Sequence, residues 1–493
     1  MHSILWAVAV AIFIVAVVRQ IQHRRRIKAL GVACPEPPNV YPIPFGIGRF
    51  LYIGKRVKDG TFMDLWPEWW QEYGRTLRFS AFGANSIFTD EPDNVRFILQ
   101  EGPLAGKVGM GADFHDQWYE FLGDSVFNLD GIKWKTNRAK LRKQFTRERL
   151  ADLELFEHHV QRMIRFVKSY SEQPVPVLDL LHRFTLDTSM NYMLGTDENT
   201  VEKPVHQFSH AWDNVFEIMD ARARAGGLWK ILLPKKPMQD AMAVLNEVAY
   251  TQIDRAVERR KNGEKLGTSF LDAITEDTLD REEIRGHLMT IMLGGRDTAA
   301  LTLTNTLHAL ARHPAVYATA RAEILEVIGP SEIPTFEQLK KLPYLKAIID
   351  EVLRLWPILP YTRKSALKDC TLPTGGKNGE PIAVLTDTEL YYSARSMHRR
   401  PEFWGHGADL FRPERWIESG GNHKPWTYFP FSGGPRICVG MQFAMTEMQY
   451  ILSRLLQSFP SLSTTQPELE YKMMILMVPK TEVYVTFHDK KEA

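Results

Sequence analysis

A cysteine in a glycine-rich loop near the end of the chain is the residue best placed to do chemistry. The stretch FSGGPRICVG, residues 431–440, puts Cys438 two residues after Arg436 and directly before a helix-forming run. Glycines let a ligand approach the backbone, and a helix start offers N–H groups and a positive dipole end. These surroundings stabilise a thiolate. A thiolate that accepts backbone hydrogen bonds is the axial ligand that pushes electron density into haem iron.

The other two cysteines suggest no chemistry. Cys34 and Cys370 lie far from Cys438 in the sequence, and the chain has no C-x-x-C pair or Cys/His cluster. Neither a disulfide framework nor a zinc site is therefore expected. A lone cysteine is usually a small buried hydrophobic residue, which is our interpretation of both. This cysteine usage fits a reducing environment that faces the cytosol.

A second candidate site lies within a long helical segment. The pattern DREEIRGHLMTIMLGGRDTAALTLTNTLHALAR predicts a helix from Asp280 to about Arg312. Asp280 and Glu283 have the spacing of a capping box, and the His-Pro pair that follows ends the helix. A helix of about 30 residues is long enough to cross a whole domain.

Two glycines, an acid and a hydroxyl occur together at the centre of this helix. Gly294 and Gly295 each cost up to about 1 kcal/mol relative to alanine, and Asp297 and Thr298 follow them. Close packing against another helix is one explanation. The other is that the helix opens locally and leaves backbone groups free for water or a small planar ligand.

The bulk composition indicates a large globular protein. With 493 residues, 44% hydrophobic side chains and a formal net charge of +2, the chain can bury a large core. Nothing marks it as disordered or as a cationic nucleic-acid binder, so no nucleic-acid partner is expected. Helical patterns dominate, and short strand-like runs occur at residues 76–83, 86–90, 381–385 and 481–487. The predicted fold class is α+β, mainly α with small β-sheets.

The first 50 residues are expected to lie outside the main domain. Residues 4–18 form an unbroken apolar run, and a basic cluster within residues 19–26 follows it. This order predicts a transmembrane anchor over residues 1–22 with the body in the cytosol. Because fifteen apolar residues fall short of the roughly 20 that a bilayer needs, a cleaved signal peptide is the alternative. Residues 23–50 are interpreted as a basic and proline-rich linker to a catalytic domain at 51–493.

The loop around Cys438 resembles the haem-binding loop of the cytochromes P450, which are haem-thiolate monooxygenases. Phe431, Gly434, Arg436, Cys438 and Gly440 match the family pattern F-x-x-G-x-R-x-C-x-G. Further family signatures occur in the expected order and extend the resemblance over nearly the whole chain. They are Trp134 with Arg138 of the W-x-x-x-R helix, the oxygen-activation segment Gly294, Gly295, Asp297 and Thr298, and the E-x-x-R pair Glu351 and Arg354 with Arg415 as the third member of its charge network.

The resemblance implies a fold with a long central helix and a role for each matching residue. Cys438 would ligate the iron of haem b. Asp297 and Thr298 would order water and deliver protons to bound dioxygen. Glu351 and Arg354 are one helical turn apart and can face each other in a buried charge network.

The haem propionates are the expected partners of the basic residues. Trp134, Arg138 and Arg436 would donate hydrogen bonds or charge to these carboxylates. The family usually has a further propionate-binding arginine shortly after the E-x-x-R helix. An ungapped match puts Lys364 at that position, with Arg363 one residue earlier. The sequence leaves open which of the two contacts the haem.

Within the family, the chain looks most like the fungal P450s that hydroxylate n-alkanes and fatty acids. The stretches GPRICVGMQFAMTE and LGGRDTAALTL carry this resemblance, although Gly294 replaces the usual alanine and Ala299 a second threonine. The resemblance implies an apolar substrate pocket that includes part of residues 472–478. Its other candidate members are Met289, Leu293, Ile358, Leu359 and Tyr361. Such apolar stripes are otherwise plain core.

Two other functions compete with lipid hydroxylation. A P450 of the same architecture could tailor a hydrophobic secondary metabolite, such as a polyketide, terpenoid or peptide, in a fungal biosynthetic pathway. A non-catalytic haem carrier or sensor is the third hypothesis. The Asp297–Thr298 pair argues against a carrier, because a carrier has no need of a proton relay.

The resemblance also implies partners. Residues 132–145, IKWKTNRAKLRKQF, are strongly basic and contain no acidic residue. In the family this helix receives an acidic flavoprotein, so NADPH–cytochrome P450 reductase is the expected electron donor, with cytochrome b5 as a second candidate. The segment 226–236 is either a membrane-surface contact near the substrate entrance or a solvated loop. The implied location is the endoplasmic reticulum membrane, single-pass, with the catalytic domain cytosolic.

Overall fold

The computed structural model describes most of the chain. The described residues are 18, 21, 22, 24–38, 41, 43, 46–81, 84–145, 153–204, 206–264 and 267–489. The apolar run at residues 4–18 therefore lies almost entirely outside them. Among the described residues, no helix combines the length and the apolar character that a membrane span requires.

Helices make up most of the fold. In chain order they are α1 (Ile47–Lys58), α2 (Phe62–Tyr73), α3 (Pro92–Arg96), α4 (Gly102–Leu104), α5 (Ala112–Leu122), α6 (Gly131–Arg142), α7 (Glu154–Ser169), α8 (Val177–Leu194), α9 (Gln207–Ala225), α10 (Trp229–Leu232), α11 (Lys236–Lys261), α12 (Phe270–Ile274), α13 (Arg281–Arg312), α14 (Pro314–Val327), α15 (Phe336–Leu339), α16 (Pro343–Leu355), α17 (Ala394–Met397), α18 (Pro401–Trp404), α19 (Glu414–Glu418) and α20 (Met441–Ser458). A π-helical turn, Phe97–Glu101, joins α3 to α4, and 3₁₀ turns span Gly226–Leu228 and Gly434–Arg436.

The strands form small sheets. They are β1 (Thr76–Ala81), β2 (Ala84–Thr89), β3 (Val108–Gly109), β4 (Val175–Pro176), β5 (Tyr361–Ala366), β6 (Cys370–Leu372), β7 (Ile382–Val384), β8 (Glu389–Ser393), β9 (Ser461–Ser463), β10 (Tyr471–Met473), β11 (Met477–Pro479) and β12 (Tyr484–His488). The largest sheet has the order β1-β2-β8-β5-β3, and the others are β4-β12-β9, β6-β7 and β10-β11. The predicted class, mainly helical with small sheets, is confirmed, and all four predicted strand runs contain a strand.

The long helix α13 is the axis of the domain. Its first half packs against α9 and α11 in a core that includes Met289 and Met292. Its second half, with Leu303, Leu307 and Leu310, packs against α7, α8, α16 and α20. Burial along nearly its whole length explains why so polar a sequence stays helical, since most helical stability in proteins comes from packing.

The ends of α13 lie where the sequence predicts them, but its capping differs in detail. The Asp280 side chain accepts hydrogen bonds from the N–H groups of Glu282 and Glu283 at 2.9 and 3.0 Å. The Glu283 carboxylate does not complete a capping box, because it accepts hydrogen bonds from Lys140 and Thr278 instead. The start of the helix is therefore capped by the Asp280 side chain alone, and the ion pair between Lys140 and Glu283 links it to α6.

The double glycine in α13 does not open the helix, which is continuous over Arg281–Arg312. A Cβ on Gly295 would lie 3.2 Å from the Ser189 hydroxyl of α8, so this glycine permits close helix packing. A Cβ on Gly294 would meet no atom within 4 Å. The first of the two explanations from the sequence therefore holds for Gly295, while Gly294 borders open space.

Part of the proline-rich segment belongs to the folded body. The backbone N–H of Arg78 in β1 donates to the carbonyl of Pro35 at 2.7 Å, and Val32 forms an isolated bridge to Ile382. Cys34 is buried in the core between them. The segment satisfies backbone groups of the sheet edge, so these described residues pack against the folded body.

Candidate active site

The loop before α20 requires glycine at one position. Gly434 has φ +62°, and a Cβ there would lie 2.0 Å from the carbonyl oxygen of Leu99. After the following 3₁₀ turn, the N–H of Cys438 donates to the carbonyl of Phe431 at 2.9 Å. The loop thereby presents Cys438 just before α20 begins at Met441.

Cys438 has solvent-accessible surface although many protein atoms surround it. Its side chain is exposed, yet burial raises the pKa of its thiol above the ordinary value. The backbone N–H of Gly440 and the charge of Arg138 act in the opposite direction and favour the thiolate. Cys34 and Cys370 are buried free thiols, as the sequence suggested.

Two arginines lie against the ring of Trp134. The Arg138 guanidinium is 5.7 Å from the ring centroid and donates to the carbonyl of Ile437 at 2.7 Å. The Arg436 guanidinium is 4.6 Å from the same ring and pairs with Asp130 at 2.6 Å. Because Asp130 holds Arg436, the charge that favours the Cys438 thiolate comes from Arg138 and not, as the sequence suggested, from Arg436.

Strand β5 gives its two adjacent basic residues different surroundings, because successive side chains point to opposite faces. Lys364 is 7% exposed, and its Nζ lies 3.2 Å from the sulfur of Met110. Burial, followed by the charge of Arg436, lowers the pKa of Lys364 to about 7. Within the described chain Lys364 forms no ion pair, whereas Arg363 pairs with Glu389.

Thr298 and Asp297, two of the predicted oxygen-activation residues, have different surroundings. The Thr298 hydroxyl donates to the carbonyl of Gly294 at 2.6 Å, one turn earlier on the side of α13 that borders open space. Asp297 is 8% exposed and accepts a hydrogen bond from Trp212 Nε1 of α9 at 3.1 Å. The acid is thus held by a neighbouring helix, while the hydroxyl faces the open space.

The predicted pocket residues also separate. Ile358 packs with Leu476 in the turn between β10 and β11, so two of the predicted pocket segments meet, and Leu301 of α13, which was not predicted, joins them. Met289 and Leu293 belong instead to the core around α9 and α11. The apolar cluster of Ile358, Leu301 and Leu476 is thus separate from the core that holds Met289 and Leu293.

Tyr361 and Leu359 do not join this cluster. The Tyr361 hydroxyl donates to the carbonyl of Met63 at 3.1 Å, and its ring lies 5.7 Å from that of Phe62. Tyr361 therefore packs against α2, and Leu359 is 40% exposed. The sequence could not show this, because the orientation of β5 depends on the sheet it joins.

The E-x-x-R pair forms a buried network. Glu351 and Arg354 are both 0% exposed and are joined by two hydrogen bonds at 2.8 and 2.9 Å. Arg415 donates to Glu351 at 2.9 Å, as the resemblance implies. Sequence reasoning missed Trp416, whose Nε1 donates to the same carboxylate at 3.0 Å.

Asp130 is a second residue that sequence reasoning missed. Besides pairing with Arg436, its carboxylate accepts hydrogen bonds from the N–H groups of Met110 and Gly111 at 2.8–3.0 Å. Its place directly before α6 was the available signal, since aspartate is favoured at helix starts. It aligns the loop carrying Met110 with Arg436.

These residues fit a haem group. Arg138, Arg436 and Lys364 interact electrostatically with Cys438 or with one another, and Asp130 is the acidic residue paired among them. The excess of positive charge suits two propionate carboxylates. The buried Lys364 amine is a donor that lacks a carboxylate within the described chain, and the Cys438 thiol can serve as axial ligand.

A cysteine-bearing loop before a helix, with a cluster of cations beside it, is the arrangement expected of a haem-thiolate protein. The family model described as Cytochrome P450 matches residues 37–487. The chain is 34% identical to cytochrome P450 monooxygenase pvhE of Talaromyces variabilis, over 97% of this chain and 94% of that protein. It is 33% identical to cytochrome P450 52A12 of Debaryomyces hansenii, over 90% of this chain and 89% of that protein. This chain belongs to the cytochrome P450 family.

A solved structure supports the same fold. The crystal structure of the cytochrome P450DA heme domain superposes with a TM-score of 0.78, over 94% of this chain and 98% of that one, at 23% identity. As a member of the family, the protein is a monooxygenase and an oxidoreductase. It uses haem, receives electrons from a redox partner reductase, and acts on a hydrophobic substrate with O2.

Proposed function

We propose that this protein hydroxylates a long-chain fatty acid or n-alkane, with haem b held by Cys438. The apolar cluster of Ile358, Leu301 and Leu476 supports a hydrophobic substrate, because apolar side chains from three separate segments meet there. The motif resemblance to the fungal hydroxylases points to the same substrates. Cytochrome P450 52A6 of Candida tropicalis is 33% identical to this protein over 90% of the chain.

Haem, when bound, supplies the redox chemistry that activates dioxygen. The chain holds and tunes the group through its own donors: Arg138, Arg436 and Trp134 at the propionates, and the Gly440 N–H at the sulfur. Of the two residues that the sequence left open, Lys364 is the propionate partner, because its amine is buried without a carboxylate while Glu389 already holds Arg363.

Thr298 binds water at the site, and Asp297 supplies protons to it. The Thr298 hydroxyl uses its proton to donate to Gly294, so its oxygen is left to accept a hydrogen bond from water on the open side of α13. Asp297 is the acid from which protons are passed toward that water. The pair thus orders water and supplies protons where dioxygen is reduced.

Electrons come from a separate NADPH–cytochrome P450 reductase, which docks on α6, with cytochrome b5 as a second donor. Part of the basic run of α6 is neutralised within the described chain, because Lys133, Lys140 and Lys143 pair with acidic residues. Lys135 and Arg142 are exposed and form no ion pair there. We expect Lys135 and Arg142 to contact the acidic surface of the reductase.

The N-terminal segment anchors the protein in the endoplasmic reticulum membrane, with residues 1–22 as the anchor and the catalytic domain at 51–493 in the cytosol. The exposed Ile231 and Leu232 of α10, 81% and 62% exposed beside Lys230, give the domain a second contact with the membrane surface.

Tailoring of a hydrophobic secondary metabolite is the second candidate. One P450 architecture serves many unrelated substrates, so the fold accommodates this reaction as well. The same apolar cluster suits either substrate class, so the two candidates differ only in substrate.

One spectroscopic series on isolated membranes tests the proposal. The reduced protein with carbon monoxide should give the difference band from which the family takes its name, and titration with fatty acids and n-alkanes should shift the iron spin state in a way that depends on chain length. Cys438→Ala should abolish the band, and Cys370→Ala is the matched control that should keep it. A band retained in Cys438→Ala contradicts the thiolate assignment. A spin shift seen only with bulky secondary metabolites favours tailoring.

A further inference from the structure

The Asp297 carboxylate is held by two side-chain donors, one on each oxygen. Its Oδ2 accepts from Trp212 Nε1 at 3.1 Å, and its Oδ1 accepts from Arg296 Nη1 at 3.1 Å. Arg296 in turn binds Asp213 at 2.7 Å and the Ser209 hydroxyl at 2.9 Å, both on α9. Two donors from different helices therefore fix the orientation of the acid.

A histidine on α8 approaches the same carboxylate. His182 Nε2 lies 3.7 Å from Asp297 Oδ1, a distance that a small ring movement or one water molecule bridges. The His182 side chain is 25% exposed, compared with 11% for Asp297 and 4% for Arg296. His182 is thus the neighbour of Asp297 that water can reach.

The charged groups around His182 come from three helices. Asp297 and Arg296 face it from α13, Asp213 from α9, and Asp179 lies on its own helix. Burial lowers the pKa of His182, and the negative charge of Asp297 opposes this effect. The carboxylates around His182 therefore offset part of the cost that burial adds to protonating its imidazole.

The side chains of α9 near Asp297 cannot supply protons to its carboxylate. Asp213 is 57% exposed, but Arg296 separates it from Asp297, and a guanidinium keeps its proton at every physiological pH. The Trp212 indole N–H is a hydrogen-bond donor only. Of the described side chains bonded or close to Asp297, His182 is the one that can gain and lose a proton.

We propose that His182 delivers protons to Asp297, and that Trp212 and Arg296 position the carboxylate to receive them. The inference rests on the proposed role of Asp297 as the acid of the proton relay. In each transfer the His182 imidazolium gives its Nε2 proton to Asp297 Oδ1, Asp297 passes one proton on toward Thr298, and neutral His182 regains a proton from a hydronium ion of the solvent, which becomes water. The transfer moves one proton from solvent and involves no electron.

The first test measures the coupling of NADPH oxidation to product in membranes that also contain the reductase. His182→Gln should lower product per NADPH several-fold, release more hydrogen peroxide, and increase the solvent deuterium isotope effect. Wild-type coupling should fall as the pH rises through the His182 titration, and the variant should lose this dependence. His210→Gln is the matched control, because His210 is exposed on the outer groove between α9 and α11.

Asp297→Asn separates the inference from the function on which it rests. If Asp297→Asn remains coupled, the relay role of Asp297 is wrong, and the inference fails with it. If Asp297→Asn uncouples while His182→Gln keeps both the wild-type coupling and the wild-type pH profile, the inference alone is overturned. Uncoupling in both variants supports it.

A second test needs no turnover. In the diamagnetic ferrous carbon-monoxide form of the holoenzyme, histidine-labelled protein is titrated by NMR, and the His182 signal is identified by its loss in His182→Gln. Asp297→Asn should lower the pKa of His182, because the carboxylate stabilises the imidazolium, and should leave the His210 signal unchanged. An unchanged His182 pKa would overturn the contact and the inference.

Discussion

The Thr188 hydroxyl of α8 donates a hydrogen bond to the Glu447 carboxyl of α20 at 3.1 Å, and both side chains are buried. Glu447 lies nine residues after Cys438, on α20, the helix that follows the cysteine loop. No cation pairs with Glu447 among the described residues, and burial raises its pKa to about 8. A buried carboxyl with one hydroxyl donor is therefore protonated in the folded protein at neutral pH.

Glu447 should make stability depend on pH. Between the unfolded pKa of about 4.3 and the folded value of about 8, the folded state holds a proton that the unfolded state has released. The free energy of unfolding therefore falls as the pH rises, by up to about 1.4 kcal/mol per pH unit. Glu447→Gln should remove this slope in urea unfolding at about pH 5.5 and about pH 7.5. The exposed Glu276→Gln should leave the slope as it is, and an unchanged slope in Glu447→Gln contradicts the assignment.

Glu351→Gln should destabilise the fold strongly. The substitution places an amide NH2 against Arg354, Arg415 and Trp416, so buried donors lose their acceptor. The expected loss is about 3–5 kcal/mol in the free energy of unfolding. Asp240→Asn is the control, because its ion pair with Lys236 is exposed and is worth about 0.5 kcal/mol or less. Similar losses in the two variants would show that the Glu351 network is not a buried charge cluster.

Lys364→Met should weaken haem retention by about tenfold, the equivalent of one hydrogen bond between charged groups. The measurement is the ratio of haem to protein, with the carbon-monoxide difference band per protein as a second readout. Arg363→Met is the matched control on the same strand, and it should retain haem because Glu389 holds that guanidinium. Lys364→Arg should retain haem as well. Loss of haem in Arg363→Met alone would reverse the assignment.

Thr298→Ala should keep the haem and the carbon-monoxide band but uncouple NADPH oxidation from product. The variant loses the hydroxyl that bonds Gly294 and accepts from water, so product per NADPH should fall by roughly 10-fold or more. Thr298→Ser keeps the hydroxyl and should remain largely coupled. Wild-type coupling in Thr298→Ala would remove Thr298 from the relay.

The sequence by itself determined the features that depend on neighbouring residues. The start of α13 at Arg281 follows from the aspartate before it, and its end follows from the His-Pro pair after it. The loop around Cys438 could also be predicted, because its backbone takes a positive φ that favours glycine, as the +62° of Gly434 shows. Helix ends and tight loops are set within a few residues, so a linear pattern is sufficient to find them.

Only the tertiary structure decided which side chains meet. Asp297 meets Trp212, which is 85 residues away. Lys364 and Arg363 are neighbours in the sequence, but they point to opposite faces of β5, and only Arg363 meets the Glu389 carboxylate of β8. Tyr361 turned toward Met63 for the same reason. These choices depend on which helix or strand packs alongside and on which face each residue occupies there, and no local spacing encodes that information.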